Sequence, residues 1–119
     1  MAEPQAFPQA FDPEQFQNLL EDEELMRRLL EIFGEDSAKL LQRCTESLNR
    51  EDYTALHEAA HALAGMLSNY AALPAYEASR KLMLHALSRE LHSCRLTLAE
   101  TCLEVNRLAD ALAAFLRQL

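Results

Sequence analysis

Asp52 to Tyr70 reads DYTALHEAAHALAGMLSNY, and its spacing decides the fold. Leu56, Ala60, Leu63, Leu67 and Tyr70 fall four, three, four and three residues apart. That is the period of one face of a helix. Asp52 stands where a side-chain oxygen caps the first turn. At about 100° per residue, His61 and Leu63 lie on nearly opposite sides. The stripe is predicted buried. The face carrying Thr54, His57, Glu58, His61, Ala64, Gly65 and Ser68 is predicted exposed.

The same period continues outward in both directions. Toward the N-terminus, Leu25, Met26, Leu29, Leu30, Ile32, Phe33, Leu40, Leu41, Cys44 and Leu48 keep helical phase across Gly34. One continuous helix from near Asp22 to about Leu48 is expected, its start favoured by the acidic run Glu21 to Glu24. Asp12-Pro13 opens a shorter helix, since Asp caps and Pro fits the first helical position. Phe16, Leu19 and Leu20 are its expected apolar face. Residues 1–11 are rich in Pro, Gln and Ala, show no period, and are expected to be a mobile tail ahead of a domain over 12–119. Toward the C-terminus, Pro74 opens a helix whose inner face is Ala75, Ala78, Ser79 and Leu82. A joint at Ser88-Arg89-Glu90 precedes a last helix carrying Leu91, Leu98, Cys102, Val105, Leu108, Leu112 and Phe115. The predicted fold is all-α: an up-down four-helix bundle with an additional short N-terminal helix lying across one end.

Composition narrows the function. The chain has 119 residues, two glycines and four prolines, too few turn residues for a β-sandwich or a parallel α/β sheet. Its net charge of −8 makes it a poor partner for nucleic acid. No segment is long and apolar enough to span a membrane, and the N-terminus lacks the basic and apolar regions of a signal peptide. Cys44, Cys94 and Cys102 form no C-x-x-C pair and are expected to be reduced, partly buried thiols of a cytoplasmic protein. No glycine-rich phosphate loop is present, so neither ATP nor any other cofactor is expected. With Met1 a short tail ahead of the first helix, a stand-alone chain is the expectation.

An exposed histidine beside a helical glycine is how a nucleophile is offered to a partner's active site. Glycine in a helix costs up to about 1 kcal/mol relative to alanine, so close approach of another surface is a reason to keep it. Ala60-His61-Ala62-Leu63-Ala64-Gly65, preceded by Asp52-Tyr53-Thr54-Ala55-Leu56, resembles the histidine-containing phosphotransfer (HPt) domain family of two-component phosphorelays. Leu29 to Phe33 and Leu40 to Cys44 look like that family's second helix, and the resemblance runs from residue 12 to about 116. It implies that His61 accepts a phosphoryl group from the aspartate of a receiver domain and passes it on. The implied partners are response-regulator receivers and hybrid histidine kinases, with any magnesium held by the receiver. The chemistry is consistent, since an imidazole titrating near about pH 6.5 is neutral often enough at pH 7 to attack phosphorus.

The sequence departs from the family at named positions. The usual lysine three residues after the histidine is Ala64, and Met66 and Leu67 replace small residues after the glycine. Ala71 stands where a second glycine is usual. Met83 lies near the position that often carries Glu or Gln. Ala64, Gly65, Ser68, His57, Arg80 and Lys81 are the candidate phosphate or partner contacts, with Arg80 or Lys81 able to supply the missing charge. A binding module that docks a receiver or kinase without carrying phosphate is the alternative.

His57-Glu58-Ala59-Ala60-His61 also spells the H-E-x-x-H of zinc proteases. Ala64 and Leu67 break the extended form of that motif, no strand is predicted to hold substrate, and Glu77 or Glu90 are only guesses for a third ligand. A metal site at His57 and His61 is the third and least favoured reading, and no metal is expected. His85 and His92 carry no motif and are expected on the surface.

Overall fold

The computed structural model describes residues 9–119, and among them the secondary structure is helical throughout. The elements are α1 (Pro13–Leu19), α2 (Glu23–Asn49), α3 (Tyr53–Leu67), a 3-10 turn (Ser68–Tyr70), α4 (Leu73–Leu87) and α5 (Leu91–Arg117). Three aspartates start helices as their positions imply. Asp12 Oδ1 accepts from the Gln15 N–H at 3.1 Å, Asp22 Oδ1 from Glu24 at 2.9 Å, and Asp52 Oδ1 from Ala55 at 3.0 Å. Each such cap is worth about 1 kcal/mol. α2 passes Gly34 without a break, as its apolar phase requires.

The joints are short because they close in one way. After α2, Glu51 N–H donates to Leu48 O and Asp52 N–H to Ser47 O. After α4, Arg89 N–H donates to Ala86 O and Glu90 N–H to His85 O. Both closures need a left-handed residue, and Glu51 (φ 52°) and Arg89 (φ 54°) supply it. Ala71 (φ 51°) does the same between the 3-10 turn and α4. Neither glycine is used in this way.

α2 to α5 form the bundle, with α3 packed most extensively on α4. The stripe Leu56, Ala60, Leu63, Leu67 and Tyr70 is buried. So are Ala75, Ala78, Ser79 and Leu82 on the inner face of α4. α1 lies over the end of the bundle. Phe16 stacks on Tyr70 at 5.8 Å and meets Phe115 edge-on at 6.0 Å, while Phe33 meets Tyr70 edge-on at 4.9 Å. The Tyr70 hydroxyl donates to Leu29 O at 2.8 Å.

The described chain corrects the expected tail at its inner end. Ala10 and Phe11 are buried, and Phe11 meets Phe16 and Phe115 edge-on at 5.9 and 5.7 Å. The Asp12 N–H donates to Ala71 O at 2.9 Å. A buried aromatic contributes about 2 kcal/mol, comparable to the cost of ordering one or two residues. Residues 1–8 of the expected tail lie outside the described residues. Leu19 and Leu25, expected on apolar faces, are exposed because no element covers them. Cys44 and Cys94 are buried, Cys102 is half-buried, and all three thiols are free. Burial, then the neighbouring Cys102, pushes the Cys44 thiol up to about 11. Among the described residues no helix is long and apolar enough to cross a membrane.

Candidate functional site

α3 sets His61 in solvent, because the residue lies opposite the buried stripe. Gly65 follows one turn later and is also exposed. One turn earlier, the half-buried His57 holds its ring nearly parallel to that of His61, with an 11° interplanar angle and centroids 6.4 Å apart. α4 runs alongside and presents Tyr76, Arg80 and Met83 from one flank. Together with His61, Ala64, Gly65 and Ser68 they line an open groove of about 330 Å³.

Three candidate residues are placed differently from expectation. Ala64 was expected on the exposed face but is only 5% exposed. It follows Ala60 by one turn and so borders the buried stripe, and α4 comes close enough to cover its single methyl. It forms the floor of the groove. Lys81 lies outside the groove altogether. Its Nζ is 3.4 Å from Glu100 Oε1, in a separate hollow between α4 and α5 that Glu77, Leu103 and Arg107 also line. One residue of helical rotation thus separates Lys81 from Arg80. His57 shares the His61 face but opens on another hollow, with Thr54, Glu58 and Arg89.

The groove has a distinct polar character. Arg80 is its one formally charged lining residue besides the titratable His61, and no carboxylate lines it. The Arg80 guanidinium carbon lies 6.0 Å from the Tyr76 ring centroid, a cation–π distance. The Ser68 hydroxyl donates to Gly65 O at 2.6 Å, so its proton is committed to the helix end. Met83 adds an apolar wall. Tyr76 escaped the reading of the sequence. Its signal was the spacing 76, 80, 83, which marks one flank of α4.

Gly65 has an ordinary helical φ, and a Cβ added there meets nothing within 4 Å. None of the described residues therefore requires glycine at 65, and the space it leaves adjoins His61. Among the described residues no three His, Cys, Asp or Glu side chains are grouped to hold a metal ion. His85 is half-buried rather than on the surface, its Nδ1 3.3 Å from Thr97 Oγ1, and His92 is exposed. Neither lines the groove.

An accessible imidazole in a groove with a guanidinium that pairs with no carboxylate among the described residues suits a small anion delivered by another molecule. Comparison with known proteins bears on which one. The family model described as "Hpt domain" matches residues 28–118. Among solved structures, the crystal structure of histidine-containing phosphotransfer protein B (HptB) from Pseudomonas aeruginosa PAO1 has the same fold, with a TM-score of 0.86. The two sequences are 22% identical, and the match covers 92% of this chain and 96% of that one. No curated protein matches by sequence.

Proposed function

This chain belongs to the Hpt domain family, and on that premise we propose that it carries a phosphoryl group on His61 between receiver-domain aspartates in a two-component phosphorelay. The observation that carries the reading is the exposed His61 at the lip of a groove that contains Arg80 and no carboxylate. In the forward step the lone pair of a ring nitrogen attacks the phosphorus of a receiver's aspartyl phosphate. The N–P bond forms as the P–O bond to the aspartate breaks, and the aspartate leaves as a carboxylate. The ring keeps its proton on the other nitrogen or yields it to water. The reverse step hands the phosphoryl group to a second receiver. On this reading the protein is a carrier rather than an enzyme with a released product. Its partners are receiver domains or a hybrid histidine kinase in the cytoplasm, and magnesium belongs to the receiver.

The test is to incubate the protein with receiver domains of the same genome, charged with labelled phosphate. Acid-labile, alkali-stable label is expected on wild type and absent from His61→Gln. The variant should keep the wild-type helical spectrum and stability to within about 0.5 kcal/mol, because His61 is an exposed residue. If wild type binds a receiver but takes no label from it, the carrier reading fails and a docking module takes its place.

A further inference from the structure

We infer that Arg80, delivered from α4, is the cation that binds the phosphoryl group on His61, in place of a positive charge at position 64 of α3. This rests on the phosphohistidine reading above. It adds which side chain recognises the anion and from which helix.

The groove limits the choice of donor. A phosphoryl group brings nearly two negative charges and three acceptor oxygens. The side-chain donors that line the groove with His61 are Ser68, Tyr76 and Arg80. Ser68 has given its proton to Gly65 O. Tyr76 offers one neutral hydroxyl. Arg80 offers a full charge and a planar fork that meets two oxygens of a phosphoryl group at once. Among the described residues it pairs with no carboxylate, so its charge is not already neutralised. Its neighbour Lys81 is held by Glu100 in the other hollow.

Tyr76 restrains the fork. Tyr76 is one turn before Arg80 on the same flank, and the guanidinium lies over its ring. An arginine restrained this way loses less freedom when it binds. Ala64, with a single methyl, lines the same groove as Arg80 and His61. A lysine at 64 and an arginine at 80 would crowd like charges into one groove, and this chain carries only the second.

The experiment separates this inference from the relay reading by using a small donor. Phosphoramidate ion phosphorylates an accessible imidazole directly: its P–N bond breaks, ammonia leaves, and the new N–P bond forms on the protein. The phosphorus resonance of phosphorylated His61 is identified by its absence in His61→Gln and then titrated by 31P NMR. In wild type the phosphoryl group should lose its last proton at a lower pH than in Arg80→Ala, by roughly 0.5–1 unit for a partly solvated contact. The difference should shrink in high salt. Arg80→Lys should recover part of it, and Lys81→Ala should match wild type. Transfer from a receiver should slow roughly five- to tenfold in Arg80→Ala. Identical titrations of folded wild type and Arg80→Ala overturn the inference, even if receivers phosphorylate both. Failure of wild-type His61 to take phosphate from phosphoramidate overturns it as well, because the groove then does not admit the anion. If phosphoramidate labels His61 and Arg80 shifts its titration, yet no receiver transfers label, the inference stands and the relay reading falls.

Discussion

Two glycines sit inside long helices of this protein, and they separate stability from function. Gly34 lies in α2 and Gly65 in α3, both without a positive φ, and a Cβ at either meets nothing within 4 Å. Alanine is therefore accommodated at both without strain. Glycine in a helix interior is about 0.8–1.0 kcal/mol less favourable than alanine. Gly34→Ala and Gly65→Ala should each stabilise the fold by about 1 kcal/mol, which in a domain of this size raises the melting temperature by about 4 °C. Nothing in the structure explains the glycine at 34. At 65 the outward space adjoins His61, so the two variants should part in transfer assays.

Gly34→Ala should take label from a charged receiver at the wild-type rate. Gly65→Gln keeps most of the gain in helix stability, since glutamine is a good helix former. It places a long side chain one turn from the nucleophile, and transfer should fall tenfold or more. Thermal melts followed by circular dichroism and initial rates of label transfer read the two effects independently. A destabilised Gly65→Ala would refute the claim that α3 is ordinary helix at that turn. Equal transfer by wild type and Gly65→Gln would refute the claim that a partner approaches there.

Three further outcomes follow from particular residues. Ala71 holds a left-handed conformation that costs an L-residue about 1–2 kcal/mol, so Ala71→Gly should gain about 0.5 kcal/mol after glycine's own entropy loss, and Ala71→Val should lose stability in urea melts. Burial, then Asp36, pushes the Tyr70 phenol up to about 12, against about 10 in an unfolded chain. The folded state keeps a proton that the unfolded state has lost, so stability is intact below about pH 10 and falls as pH rises toward 12, by up to about 1.4 kcal/mol per unit. Tyr70→Phe should flatten that alkaline slope in melts at pH 9 and 11. Arg80→Gln, which keeps much of the side chain's length and none of its charge, should show the same phosphoryl titration as Arg80→Ala, and a wild-type titration in Arg80→Gln would mean that Arg80 acts through its shape rather than its charge.

The helices were legible because each carries its own instructions. Asp12, Asp22 and Asp52 cap locally, and the apolar period of α2, α3 and α5 needs no tertiary knowledge. The joint at residues 88–90 gave no Gly or Pro signal, since Arg89 fills the left-handed position. Phe11 was not legible. A lone aromatic among Pro, Gln and Ala has no period, and its burial comes from Phe16 and Phe115, the latter at the other end of the chain. Leu19 and Leu25 failed for the converse reason: helical spacing marks a face but not how far a neighbour extends over it.

The site divides along the same line. His61 and Gly65 were readable, because α3 alone fixes which side of it is opposite Leu63. Ala64 was not, because a residue at the border of a buried stripe is covered or exposed according to how closely the next helix comes. Arg80 and Lys81 show the limit most clearly. Both lie between Ser79 and Leu82 of the buried set Ala75, Ala78, Ser79 and Leu82, and helical geometry puts them on opposite flanks of that set. One flank must face α3 and the other α5, but which is which depends on the hand of the bundle, and no periodicity within one helix encodes that. The structure gives α3 the flank with Tyr76, Arg80 and Met83, and gives α5 the flank with Lys81 and His85. A missing lysine on α3 therefore does not by itself mean a site without positive charge. The groove has two walls, and here the cation stands on the second.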